Sequence, residues 1–134
     1  MKYLLASNTC IGWLRQSEPK VVSRIQAENS ADIYLCSVVL GELIYGVFHS
    51  GPAHQAANGA RIVLLRQRFV SVPFDDRAAE EYGQLRAQLK ALGQLIGPND
   101  LMIAAIALAN GLILVTHNTT EFGRVPRLTV EDWQ

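Results

Sequence analysis

Four short runs, Lys2-Tyr3-Leu4-Leu5, Ile33-Tyr34-Leu35-Cys36, Phe69-Val70-Ser71-Val72 and Leu112-Ile113-Leu114-Val115-Thr116, are separated by stretches with helical spacing. The runs are mostly apolar instead of alternating, which suits strands covered by helices on both faces, the usual state of parallel strands. Helices are expected over 9–15 and over 19–28, where Pro19 fits a first helical position. Ser37 is placed to cap a helix running to His49, and Gly51-Pro52 separates it from another over 53–68. Asp75 caps 76–92, whose Ala79, Tyr82, Leu85, Leu89 and Leu92 form one apolar stripe, and Gly93 stops it. The last helix starts at Pro98 and ends before Gly111. This alternation predicts an α/β fold with a mostly parallel sheet and helices on both faces. At 134 residues, the chain has room for one domain with a real core, spanning 1–134, and not for two.

With 49% apolar residues and 12 basic against 12 acidic side chains, neither disorder nor a broadly basic, nucleic-acid-coating surface is expected. Any contact with nucleic acid must be local. Cys10 and Cys36 lack a metal-binding spacing, and no signal-peptide pattern precedes the first run, so free thiols and a cytoplasmic location are expected. The longest apolar stretch, 101–115, is interrupted by Asn110 and Gly111 and is too short to span a bilayer.

In open α/β sheets ligands bind beyond the carboxyl ends of the strands. Ala6, Ser7 and Asn8 follow the first run, while Thr116, His117 and Asn118 end or follow the last, with Glu121 close behind. Glu42 sits on an otherwise apolar helix, where a buried carboxylate is costly unless paired or metal-bound. Asp100 opens the helix 98–110. Taken singly, each has an ordinary role: Asp100 as a first-turn acid, Glu42 reaching solvent, Glu121 in a solvated loop, Asn8 as an N-cap. Together, three acids beyond one sheet edge make an oxygen-rich site suited to Mg²⁺ or Mn²⁺. Arg61, Arg66, Arg68 and Arg86 are candidate phosphate contacts, although arginines on helix surfaces are more often simply solvated.

The stretches YLLASNTCIGWLR, SVVLGELIYGV and YGQLRAQLKALGQLIGPNDLMIAAIALANGLILVTHNTTEFGRVPRLTVEDW resemble a PIN domain, specifically the VapC-type toxins of VapBC toxin-antitoxin systems. The resemblance covers nearly the whole chain and is most specific from Gly97 to Trp133. It implies a Mg²⁺- or Mn²⁺-dependent endoribonuclease, acting on transfer RNA as close relatives do. Its site would be built from acids at position 6, Glu42, Asp100 and a fourth in the loop, Glu121 first and the Asn118 position second. Asn8, Thr116 and Asn118 would support it. A cognate VapB-type antitoxin inserting a basic side chain, and a homodimer, are also implied.

The departure is at position 6. Family members usually read Leu-Leu-Asp-(Thr or Ser)-Asn, and this chain reads Leu-Leu-Ala-Ser-Asn. One isolated change in an otherwise intact motif points to deliberate inactivation of an enzyme; the alternative is a naturally inactive module that binds RNA or antitoxin without cleavage. A receiver domain, which also clusters acids at strand ends, fits poorly because no lysine follows the last strands where one is required.

Overall fold

The computed structural model describes residues 1–134. Its sheet has five strands, all parallel: β1 (Tyr3–Leu5), β2 (Ile33–Cys36), β3 (Val70–Val72), β4 (Ile113–Val115) and β5 (Val130–Glu131), in the order β3-β2-β1-β4-β5. The α/β expectation holds. Seven helices connect the strands: α1 (Ser7–Leu14), α2 (Pro19–Ala27), α3 (Ser37–His49), α4 (Pro52–Arg68), α5 (Asp76–Ala91), α6 (Pro98–Asn110) and α7 (Thr119–Phe122). From β1 the chain steps outward to β2 and β3, then returns across β1 to β4 and β5. Right-handed crossovers therefore put α1 to α4 on one face and α5 to α7 on the other. No helix is long and apolar enough to cross a membrane.

The central strands are the most buried. Leu4, Leu5, Leu35, Leu114 and Val115 are fully enclosed, as are Ile103, Ala104, Ala105, Ile106 and Ala107 of α6, which packs along α5. Cys10 and Cys36 are free and buried, and burial pushes both thiols well above their ordinary range, so neither is a ready nucleophile.

Three local expectations are corrected. Phe69 is buried, but β3 is an edge strand whose Val70 faces solvent, because nothing pairs beyond it. Ser37 is the first residue of α3, not its cap; its Oγ accepts from the Phe74 amide at 3.2 Å and ties the exit of β3 to α3. Asn8 lies inside α1, which starts two residues earlier than expected with Ala6 as its N-cap. Asp75 does cap α5, accepting from the Ala78 amide at 3.0 Å, and Gly111 ends α6 at φ +63°, a conformation that glycine adopts without strain.

Candidate active site

The strand order reverses at β1: the connection leaving β1 goes to one side, and β4 lies on the other. That is the topological switch point, where diverging connections open a crevice at the carboxyl end of the strands. Ala6 stands at its floor, 4% exposed, with its amide donating to the Val115 carbonyl at 2.9 Å and its carbonyl accepting from Cys10 at 3.1 Å. A methyl group gives the start of α1 no side-chain cap. Buried Thr9 donates its hydroxyl to the same Val115 carbonyl at 3.1 Å, and Asn8 Oδ1 lies 3.3 Å from that hydroxyl. Across the crevice, buried Thr116 accepts the Asn118 amide on Oγ1 at 3.0 Å, fixing the turn that leads to α7.

The acids arrive from three helices. Glu42, half-buried on α3, accepts from Ser7 Oγ at 2.8 Å, which links α3 to the first residue of α1. Glu121 of α7 is held at both oxygens: Oε1 accepts the Gly97 amide and Oε2 the Asn118 side-chain amide, each at 2.8 Å. Those two donors, the Gly97 amide first, with Asp100 and nearby Arg124 adding to them, hold its carboxyl below the usual range. Asp100 lies beside it. A Cβ placed on Gly97 would sit 3.7 Å from Glu121 Oε1 and 3.9 Å from Asp100 Oδ2, so both carboxyls lie over the same glycine.

Asp100 shows how the three acids share one field. Burial first, then the charge of Glu121 and a hydrogen bond with it, then the charge of Glu42, raise its carboxyl from 3.8 to about 6. The folded chain keeps this proton across a window, from about pH 4 to 6, in which the unfolded chain has released it. Folded protein then binds more protons than unfolded, so this group's contribution to stability falls as pH rises through that window. Glu121, held low, works in the opposite sense and loses its contribution as pH falls. Asp100→Asn retains a donor for Glu121 and never ionises. It is expected to melt higher than the unsubstituted chain above pH 6, by on the order of 1 kcal/mol after discounting for solvent screening of a half-buried group, with the gap closing near pH 4. Thermal melts across that range in chelator measure it.

Of the four arginines singled out by sequence, the structure brings only Arg61 to a groove that opens on Glu42. Arg66 does not line it. Arg68 lies over the rings of Trp13 and Phe69, 5.5 Å from each, and Arg86 donates to the Tyr82 hydroxyl at 3.1 Å on α5. His117 turns to Asp132 at 3.0 Å. Sequence reasoning missed Ser7 as the partner of Glu42, Gly97 as a donor to Glu121, and Arg15, which lines the same groove as Arg61. Gly97 left one signal: it precedes a first-position proline, where helix-start amides lack partners within the helix.

The family model described as the PIN domain matches residues 3–128. Over 99% of its length the chain is 35% identical to the ribonuclease VapC2 of Rickettsia felis, covering 98% of that protein. The chain belongs to the VapC family of PIN domains. The tRNA(fMet)-specific endonuclease VapC of Shigella flexneri is 38% identical over the same shares of the two chains. Among solved structures, VapC-family likeness extends to the crystal structure of VapBC2 from Rickettsia felis bound to a DNA fragment from their promoter. There the TM-score is 0.91 at 34% identity, covering 100% of both chains.

Proposed function

We propose that this VapC-family chain, a single PIN domain over 1–134, has the scaffold of a metal-dependent endoribonuclease toxin whose catalysis is interrupted at position 6. What supports this reading is that the carboxyls of Asp100 and Glu121 lie over the same Gly97, that the charge of Glu42 reaches Asp100, and that position 6, at the carboxyl end of the central strand, carries only a methyl group. Transfer RNA is the proposed substrate class, after the tRNA(fMet)-specific endonuclease of Shigella flexneri. A VapB-type antitoxin is the proposed partner, after the VapBC complexes; a homodimer and a cytoplasmic setting complete the reading.

The side chains present do not form a finished cation site. No group of three or more His, Cys, Asp or Glu gathers closely enough to hold a metal ion. Glu42 is engaged by Ser7, Glu121 by Gly97 and Asn118, and Asp100 holds its proton more firmly than usual. A divalent cation bound there would activate water and stabilise charge on the phosphate. Within this chain, the acids only preorganise a negative crevice. An Ala6→Asp substitution supplies a fourth carboxyl, and its gain of RNA cleavage tests the proposal. Failure to cleave would favour the second reading, a module that binds without cutting, which Ala6 itself supports.

Melting curves give a test that needs no substrate. An aspartate at the N-cap of α1 gains about 1 kcal/mol from first-turn amides. Burial and neighbouring carboxyls oppose it by more, so metal-free Ala6→Asp is expected to be less stable by on the order of 1 kcal/mol. Millimolar Mn²⁺ should raise its Tm more than that of the unsubstituted chain, because a ligand stabilises the state it binds. Equal shifts in the two proteins would mean that position 6 does not face the cation.

A further inference from the structure

Because all five strands run parallel, the segment leaving β5 emerges at the same carboxyl edge of the sheet as the turn leaving β4. Residues 130–134 form a strap there. The Thr116 amide donates to the Glu131 carbonyl at 3.0 Å, and one residue further on His117 Nδ1 lies 3.0 Å from Asp132 Oδ2. These two hydrogen bonds tie residues 116–118 to the chain outside 116–122, and both end on the strap. The same turn sets Glu121: Thr116 Oγ1 holds the Asn118 amide, and Asn118 Nδ2 donates to Glu121 Oε2. We propose that Asp132 is a positioning residue, which through His117 holds the turn after β4 so that Asn118 and Glu121 keep their places beside Asp100; its bearing on cleavage rests on the ribonuclease reading above.

A contact to an exposed histidine positions nothing unless its other end is fixed. Asp132 is held at both oxygens. Oδ1 accepts the Gln134 amide at 3.0 Å while Oδ2 faces His117, and these partners, the Gln134 amide first, with Lys20 of α2 adding to them, keep its carboxyl below the usual range. Trp133 anchors the strap. Its buried ring meets Tyr3 of β1 edge-on at 5.0 Å, and the Arg24 guanidinium of α2 lies 4.7 Å from its centroid. Arg24 bonds Glu28 at 3.0 Å and lies 3.5 Å from Glu131 Oε1, which also accepts the Trp133 indole N–H at 3.0 Å. Asp132 therefore stands between a residue paired in the sheet and one packed in the core, both in contact with Arg24.

Exposed pairs of this kind add little to global stability, so their loss separates a local positioning role from a general structural one. The unsubstituted chain tests the geometry without any reaction. In NMR spectra the Gly97 amide and the Asn118 side-chain amide report the two bonds that hold Glu121. Asp132→Ala and His117→Ala are each expected to shift both signals and to speed solvent exchange of the Gly97 amide about tenfold, with the double variant no worse than either alone. Their Tm should stay within about 2 °C of the unsubstituted chain. Asp132→Asn should restore the original signals, because its oxygen still accepts from Gln134 and its amide can donate to the other tautomer of His117.

In the Ala6→Asp background, Asp132→Ala is expected to lower kcat about tenfold at unchanged KM, as the loss of a supporting contact does, and Asp132→Asn to retain it. Unchanged Gly97 and Asn118 signals in both alanine variants overturn the proposal. So does a lower Tm with faster exchange spread through α6, which would make the pair part of general packing. A raised KM with kcat intact would make Asp132 an RNA contact and overturn it too. If Ala6→Asp cuts nothing while the NMR signals move as expected, the ribonuclease reading fails and the positioning of Glu121 by the strap stands.

Discussion

Ala6→Asp is expected to convert the chain into a divalent-cation-dependent endoribonuclease, raising cleavage of host RNA by about 10³-fold or more. The magnitude follows from the several kcal/mol of charge stabilisation that a bound cation supplies, each 1.36 kcal/mol being tenfold in rate. The backbone is ready for the change. Position 6 is already extended at φ −74° and ψ 166°, hydrogen-bonded at both ends and placed at the carboxyl end of the central strand, so the substitution changes one side chain and no connection. The raised Asp100 carboxyl records the field of Glu121 and Glu42. Incubation of both proteins with total cellular RNA, in chelator and then with Mg²⁺ or Mn²⁺, measures the gain. A folded Ala6→Asp protein that leaves all RNA intact in the presence of either cation would remove the toxin reading, and growth inhibition on expression without antitoxin gives the cellular counterpart.

Much of the fold was legible because its punctuation is chemical. Pro19 and Pro98 stand at helix starts, Asp75 caps α5, and Gly111 takes the left-handed turn after α6. The strand runs were read to within a residue or two, since four of the five strands pass through or beside the core and carry its apolar residues. What escaped was short or set by tertiary contact. β5 is two half-buried residues, Val130 and Glu131, identifiable only by their pairing with Leu114 and Val115. α7 is a single turn inside a polar loop. Ser37 has the composition of a cap, but its hydroxyl is taken by the Phe74 amide, a partner 37 residues away.

The candidate site was legible as a set of acids and not as a set of bonds. A carboxylate on the apolar α3 stands out because its burial needs a reason, and the loops after β1 and β4 are where an α/β sheet places ligands. The hydroxyl of Ser7 on Glu42 and the backbone amide of Gly97 on Glu121 leave no mark in composition or periodicity. The arginines mislead for the same reason. Arg68 and Arg86 look as free as Arg61 in the sequence, but one lies over Trp13 and Phe69 and the other bonds Tyr82, whereas Arg15, overlooked, faces the groove.

In the Ala6→Asp background the remaining acids should rank by how directly each faces the reacting phosphate. Glu42→Gln and Asp100→Asn are each expected to lower cleavage by about 10³-fold with the fold intact, since each removes a charge aimed at the crevice while keeping the side chain's shape. Glu121→Gln should do nearly as much. Its oxygens accept the amides of Gly97 and Asn118 besides the hydrogen bond with Asp100, so an amide in its place turns one of those 2.8 Å contacts into donor against donor besides cancelling the charge. Asn118→Ala removes only the group that orients one oxygen of Glu121, and a supporting contact of that kind is worth about 10- to 100-fold. Initial rates with one labelled RNA, beside thermal melts of every variant, establish the order. The melts matter because Asp100→Asn should gain stability at neutral pH while losing activity, which separates a damaged site from a damaged fold. If Asn118→Ala instead costs far more than Glu121→Gln, the fourth position belongs to Asn118, and Glu121 serves only to anchor the loop to Gly97.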